Sequence, residues 1–300
     1  MKLSELLIKY LPGYTYEIYD EKEFYSLGLV GSVTGSQKCT FIDREEFLSD
    51  IPEDVSMLIT TKKFAGMLGD RRFGLCVTEN PRILFFKLHN AISMVEPYAR
   101  KKKKTQIGRN CSIHHTAIIA DKNVIIGDNV KIEEYVVVRE NTIIGDNSII
   151  RAGVKIGEPD FEFKREGDAI FGVEHCGGVV IGKDVEILSN TGVNKALYPW
   201  DDTIIGDYTK IDMLCNISHG AKIGKNTMIV ALSGVGGRTV IGDNCWIGYG
   251  TILRNGIEIG DNARVNMGAV VSKSVGERAS VTGNFAIDHD KFMAELKKKA

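Results

Sequence analysis

Histidine is the side chain that most readily moves a proton near neutral pH, and this 300-residue chain has six of them. An imidazole titrating at about 6.5 can take a proton from an attacking amine or hydroxyl. His114, His115, His175 and His219 lie between residues 101 and 284. A metal-dependent hydratase would need several imidazoles converging on one ion. His114 and His115 are adjacent, so a strand would send them to different faces, and no spacing brings three histidines together. No metal site is expected. His219 lies in Ile211-Asp212-Met213-Leu214-Cys215-Asn216-Ile217-Ser218-His219-Gly220, and Gly237 follows it eighteen residues later. A base paired with an unshielded glycine N–H is what acyl transfer from a thioester requires, because the tetrahedral oxyanion needs a donor. A plain surface histidine and a packing glycine are the alternatives that these spacings leave open.

The eighteen-residue interval belongs to a longer pattern. Branched apolar residues fall six apart at Ile205, Ile211, Ile217, Ile223, Ile229, Val235, Ile241, Ile247, Leu253, Ile259, Val265 and Val271. An earlier run holds from Ile126 to Ile156, with a weaker start at Ile107, Ile113 and Ile119. Gly-Asp-Asn follows Ile126, Ile144, Ile241 and Ile259. A helix would smear a six-residue period around all its faces, and a coiled coil would need seven. Short β-strands joined by sharp turns fit it: the branched residue points inward and Gly-Asp-Asn negotiates the corner. Three hexads make one triangular coil, and coils stack into a parallel β-helix. Gly237 then lies one coil beyond His219, about 4.8 Å away along the axis. With Ile217 pointing inward, His219 is expected at a corner, pointing outward.

Residues 157–180 and 194–203 break the period. Insertions in a solenoid become outside loops, often at a binding face. Phe161, Phe163, Tyr198 and Trp200 in these loops predict a contact role, toward a ligand or a neighbouring subunit. Residues 1–100 show no hexads and read as a small α/β domain. The spacing predicts a helix over Lys2 to Tyr10, a strand over Leu75 to Thr78, a turn at Asn80-Pro81, and a helix over Arg82 to Val95. Arg100-Lys101-Lys102-Lys103-Lys104 reads as a solvated linker. Its other reading is a dock for an acidic acyl carrier or for a cofactor's phosphates. The β-helix is expected over 101–284 and one short helix over 285–300, whose lysines suit the dipole at its C-terminal end.

Composition narrows the classes. The net charge of −1, from 38 basic and 39 acidic residues, gives no global field toward nucleic acid or membrane. No run of about 20 apolar residues spans a bilayer, and the N-terminus lacks a signal peptide's apolar core, so the cytoplasm is the expected compartment. The six cysteines form no CxxC pair, which predicts reduced thiols without zinc or disulfides. Thirty-two glycines beside 6 prolines exclude collagen, which needs much proline and a three-residue period.

The stretch Phe161 to Val271 resembles the β-helix of the UDP-3-O-acylglucosamine N-acyltransferase family of lipid A synthesis. Phe161-Glu162-Phe163, Gly178 to Ile187, Asp212 to His219, and Ala221-Lys222-Ile223-Gly224 carry the likeness. Thr40-Phe41 with Phe47, Asn80-Pro81 and Phe85-Phe86-Lys87-Leu88 resemble that family's nucleotide-binding domain. The resemblance implies a left-handed parallel β-helix in a mainly β protein, assembled as a homotrimer with sites between neighbouring β-helices. It implies His219 as catalytic base, Gly237 as oxyanion donor, and Asp212 beside the sugar, where it would orient or polarise the base. Phe41 and Phe47 would hold the nucleotide's base ring, and core packing is their other reading. The acyl donor would be acyl-CoA or acyl carrier protein, with no permanently bound cofactor. Departures are Arg44 for an asparagine between the aromatics, Asn216 for a glutamine near the base, Met213 for an asparagine beside the acid, and Gly256 for a second histidine. The segment before Phe41 is also short, and the tail is reduced to one helix. The expected activity is therefore N-acyl transfer to a nucleotide-linked amino sugar, for surface polysaccharide or a lipid A-type glycolipid, with uridine or thymidine as the base. A CoA-dependent sugar O-acetyltransferase and a non-catalytic scaffold are the alternatives.

Overall fold

A branched aliphatic side chain recurs at every sixth position of the repeat, and in the computed structural model these side chains stack in columns inside a triangular parallel β-helix. The structure describes residues 1–69, 71–283 and 286–299. Ile126, Ile144, Ile181, Ile205, Ile223, Ile241 and Ile259 pair in register from coil to coil, and none is more than 2% exposed. Two further columns run through Ile132, Ile150, Ile187 and Ile211, and through Val138, Ile156, Val193 and Ile217. The three sheets have nine, eight and eight strands. β-branched side chains suit such buried pleated positions. The small residues between the columns are buried as well, and the hydroxyls of Ser148, Thr209, Thr227 and Thr239 donate to carbonyls of the next coil.

At the corners the division of labour differs from the expected one. Asparagine, not glycine, takes the left-handed conformation: φ is +59° at Asn129, +58° at Asn147, +56° at Asn244 and +57° at Asn262. Asparagine tolerates this region because its short amide bonds locally. The preceding glycine makes room instead. A Cβ on Gly224 would stand 2.4 Å from Asp243 Oδ1 and 2.5 Å from the Gly242 carbonyl carbon. That close approach lets each corner aspartate accept an N–H from the coil before it, as Asp146 does from Asp128 and Asp243 from Lys225, both at 2.7 Å.

Residues 1–100 combine helices with a five-stranded sheet. Helices span Leu3–Tyr10 and Pro81–Ile92. The strands lie in the order Glu17–Tyr19, Gly74–Val77, Val55–Thr60, Lys38–Ile42 and Ser26–Leu27. All pair in parallel except the first, which is antiparallel to its neighbour. A final helix covers His289–Lys299. The six cysteines are free thiols. Among the described residues, no helix is long and apolar enough to cross a membrane.

Both interruptions leave from one corner, the corner that carries His219 and Gly237. Strands Lys155–Glu158, Gly192–Asn194, Asn216–Ile217 and Gly234–Val235 enter it from one sheet, and Gly178–Ile181, Asp202–Ile205, Lys222–Ile223 and Val240–Ile241 leave it in the next. The first excursion contains an antiparallel hairpin, Phe163–Glu166 with Ala169–Gly172. Its base is tied to Asn90, whose amide donates to Gly172 O at 2.8 Å and accepts from Glu174 N–H at 2.9 Å. In the second, Tyr198 and Trp200 stack at 5.3 Å with planes 7° apart. Trp200 Nε1 donates to Leu27 O at 2.8 Å, and Tyr198 packs edge-on against Phe85 and His89. The contact these two aromatics make is with the chain's own N-terminal domain. The linker reading is corrected at one residue: the Arg100 guanidinium is half-buried and donates to Pro199 O, Asp201 O and Asp202 Oδ1. Lys101 to Lys104 stay exposed.

Gly224→Ala is expected to lower the unfolding free energy by about 1–3 kcal/mol, the usual cost of forcing atoms into a packed site. Gly13→Ala, with nothing within 4 Å of its new Cβ, is expected to leave stability within about 0.5 kcal/mol. Denaturant midpoints of the two variants test the close-packed corner against a generic glycine effect.

Candidate active site

His219 sits at the corner between Asn216–Ile217 and Lys222–Ile223, as its spacing requires. It does not stand free in solvent: the residue is 7% exposed. The reason is topological. The 157–177 excursion leaves the same corner two coils earlier and folds back across it. Asp160 Oδ2 accepts from both the backbone N–H and the ring Nδ1 of His219, each at 2.8 Å. An ionised carboxylate only accepts, so Nδ1 carries a proton, and in the neutral imidazole the lone pair is on Nε2. Nε2 is buried with no hydrogen-bond partner, and Glu162 Oε2 stands 3.5 Å from it. Burial opposes ionisation of Asp160, but hydrogen bonds from the His219 ring, the His219 N–H and the Phe161 N–H outweigh it. They hold the carboxyl well below the usual carboxylate range. Glu162 is lowered in the same way, its burial outweighed chiefly by the Lys164 ammonium.

Gly237 lies against the ring. A Cβ there would stand 2.6 Å from His219 Cε1 and 2.7 Å from Nε2, so only glycine fits beside this imidazole. Arg238 N–H donates to His219 O at 2.9 Å and keeps the coils in step. Among the described residues no group accepts from Gly237 N–H. On another side the His175 ring lies 5.5 Å from that of His219. Burial, aided by His219, pushes His175 down to about 4, so it is neutral at pH 7.

The remaining sequence-derived candidates divide. Phe41 and Phe47 line one cleft of about 420 Å³ with Asp43, Arg82, Lys164, Glu162 and Arg238. Phe41 also serves as core: it is 8% exposed and packs 4.9 Å from Phe85, while the Arg82 guanidinium covers its ring at 5.4 Å. Phe47 is 43% exposed and free to meet a ligand. Asp212 lies one corner away from His219. Within the chain its carboxylate accepts from Met213 N–H at 2.7 Å and Ala231 N–H at 3.2 Å, while Asp160 is the residue on the imidazole. Asn216 is exposed on the outer face of its strand, its amide donating to Ser218 Oγ at 2.9 Å. Arg44 is exposed beside Glu46, and Gly256 occupies an open left-handed turn at φ +70°. Asp160, Glu162 and His175 were not singled out from the sequence as site residues. The available signal was an acidic pair flanking Phe161 in a loop that interrupts the repeat. Among the described residues, no cluster of three His, Cys, Asp or Glu side chains is placed to hold a metal ion.

Known proteins agree with this architecture. The model for bacterial transferase hexapeptide (six repeats) matches residues 123–158, 202–237 and 238–273. The UDP-3-O-acylglucosamine N-acyltransferase of Delftia acidovorans is 35% identical over 139 residues, 46% of this chain and 41% of its own length. That of Herminiimonas arsenicoxydans is 33% identical over 138 residues, 46% of this chain and 39% of its own. The chain thus spans about two fifths of these curated relatives. Among solved structures, the UDP-N-acetylglucosamine acyltransferase of Campylobacter jejuni aligns with a TM-score of 0.55 at 22% identity, covering 67% of this chain and 81% of its own. That of Bacteroides fragilis aligns with a TM-score of 0.52 at 25% identity, covering 61% and 68%. Over its β-helix this chain is similar to acyltransferases built on hexapeptide repeats.

The depressed Asp160 carboxyl carries a linkage. Its stabilising effect is complete above the unfolded-state value of about 3.9 and fades as pH falls toward the lower folded-state value. Asp160→Asn removes it. Between about pH 5 and pH 2 the variant's stability is therefore expected to fall less steeply than that of the parent, as read from urea midpoints across that range.

Proposed function

We propose that this protein transfers an acyl group from a pantetheine thioester to the amine of a nucleotide-linked amino sugar. The observation that carries the reading is the free Nε2 of His219, with its proton held on Nδ1 by Asp160 and a glycine N–H of the next coil unpaired beside it. Nε2 takes the proton of the attacking amine as the C–N bond forms, and Asp160 stabilises the imidazolium. Gly237 N–H donates to the oxygen of the tetrahedral intermediate. Collapse breaks the C–S bond, and the imidazolium returns the proton to the sulfur. Acceptor amine plus thioester give amide plus thiol, with no metal or redox partner in the balance.

The cleft with Phe41 and Phe47 supports a nucleotide as the handle of the acceptor. Aromatic faces suit a base, and Arg82, Lys164 and Arg238 supply cations for phosphates. The similarity to UDP-3-O-acylglucosamine N-acyltransferases favours an amine as the acyl acceptor. Uridine and thymidine, and CoA and acyl carrier protein, are the base and donor options. A homotrimer is part of the proposal. Ile125, Ile143, Val180 and Ile204 stack in register as an apolar column along one outer sheet face, with Lys222 ending it before Val240, and neighbouring copies would cover it. Soluble thioester donors fit a cytoplasmic site.

O-acyl transfer is the second reading, since the aligned structures are UDP-N-acetylglucosamine acyltransferases of the same fold. Release of free thiol, followed with UDP- and dTDP-amino sugars and their hydroxyl counterparts against short and long acyl thioesters, separates the two. Thiol release is expected only with amino acceptors, and His219→Ala is expected to reduce it by about 10²–10⁴-fold. Turnover on hydroxyl acceptors alone moves the protein to O-acyl transfer, and an active His219→Ala variant removes His219 as base. Phe47→Ala is expected to weaken acceptor binding by about 1–3 kcal/mol, seen as a raised KM, if its ring stacks on the base.

A further inference from the structure

The cleft does not open directly onto the base. Its lining includes Glu162, Lys164 and Arg238 but not His219, whose Nε2, next to Glu162, is sealed from solvent. Glu162 is the group between them. Its side chain is 13% exposed, and its two oxygens face different partners. Oε1 holds the Lys164 ammonium, and Oε2 stands 3.5 Å from His219 Nε2. An acceptor lying in the cleft meets this carboxylate before it meets the base.

We propose that Glu162 is the specificity-determining residue that binds the acceptor's ammonium at the end of the cleft and so selects an amino sugar over its hydroxyl counterpart. The proposal rests on the acyl-transfer reading above. The ionised Glu162 carboxylate offers Oε2 to a cation, and Asp160 holds the other side of the His219 ring, at Nδ1. An amine enters this place as ammonium, as Lys164 already does at Oε1. A hydroxyl brings no charge and gains only a neutral donor's bond, which is the weaker kind. The groups facing Glu162 are Lys164, Arg238 and His219. Of these, Lys164 shares the carboxylate and His219 adjoins its free oxygen. Reaction then needs two proton departures from the ammonium. One proton leaves to solvent to give the free amine, and the second passes through His219 Nε2 to the departing sulfur as the C–N bond forms and the C–S bond breaks. Glu162 itself keeps no proton.

The test is equilibrium binding by calorimetry, with the full-length protein and two probes that differ at one group, UDP-glucosamine and UDP-glucose, at pH 7. The parent protein is expected to bind the amine at least 10-fold more tightly. Glu162→Gln is expected to erase that preference while leaving UDP-glucose affinity within about 2-fold, which also reports an intact cleft. Glu162→Asp, which keeps the charge, is expected to retain part of the preference. A preference that survives in Glu162→Gln, an equal loss for both probes, or no preference in the parent overturns the proposal. Thiol release with the parent protein is measured beside it. Its absence with every donor and acceptor, while the charge-dependent preference stands, counts against acyl transfer and not against Glu162.

Discussion

The eighteen-residue step of the β-helix is the constraint on which the rest of the molecule depends. Each coil must return its three inward aliphatic residues to the same columns, because a shift of one residue would turn the buried side chains outward. Close stacking at the Gly-Asp-Asn corners follows from that register, as does the aspartate ladder that joins the coils. So does the meeting of His219 and Gly237. The two residues are one turn apart on one corner, and the missing Cβ of the second makes space for the ring of the first.

A solenoid repeats one surface, so a site needs something that breaks the repeat. Here both excursions and the entry of the chain from the N-terminal domain gather at the corner of His219. The first excursion supplies Asp160 and Glu162. The second inserts Tyr198 and Trp200 beside Phe85, His89 and Leu27. The consequence is a shared wall. Phe41 and Phe47 of one domain and Arg238 of the other line the same cleft.

The electrostatics of this corner are tightly matched. Three ionisable side chains are largely buried here, with Asp160 and Glu162 each within a few ångströms of a different ring nitrogen of His219. Burial alone would neutralise the carboxyls. They stay ionised because each has close donors: two N–H groups of His219 and that of Phe161 for Asp160, and Lys164 for Glu162. The same bonds hold the histidine in one tautomer, with its lone pair on the atom that faces the glycine. Orientation and charge are thus supplied by one short loop, and the β-helix itself contributes only the imidazole and the N–H beside it.

The solenoid was legible in the residues alone because its period is local: an inward branched residue every sixth position and a corner every sixth position are set by strand geometry. That locality also placed Gly237 beside His219, since eighteen residues make one coil. Two of the α/β domain's helices and one of its strands follow from short-range patterns for the same reason. What the tertiary structure decided lies in the non-repeating segments. The period says nothing about where a 157–177 loop will fold, so the burial of His219, the bond from Asp160 and the approach of Glu162 could not be read from spacing. Arg100 looked like the first residue of a charged linker until the 194–203 loop brought carbonyls and a carboxylate to it. Asp212 looked like a partner for the base, but a corner away its carboxylate answers two backbone N–H groups. Periodic contacts are written in sequence separation, whereas contacts made by an insertion depend on which surface it happens to cover.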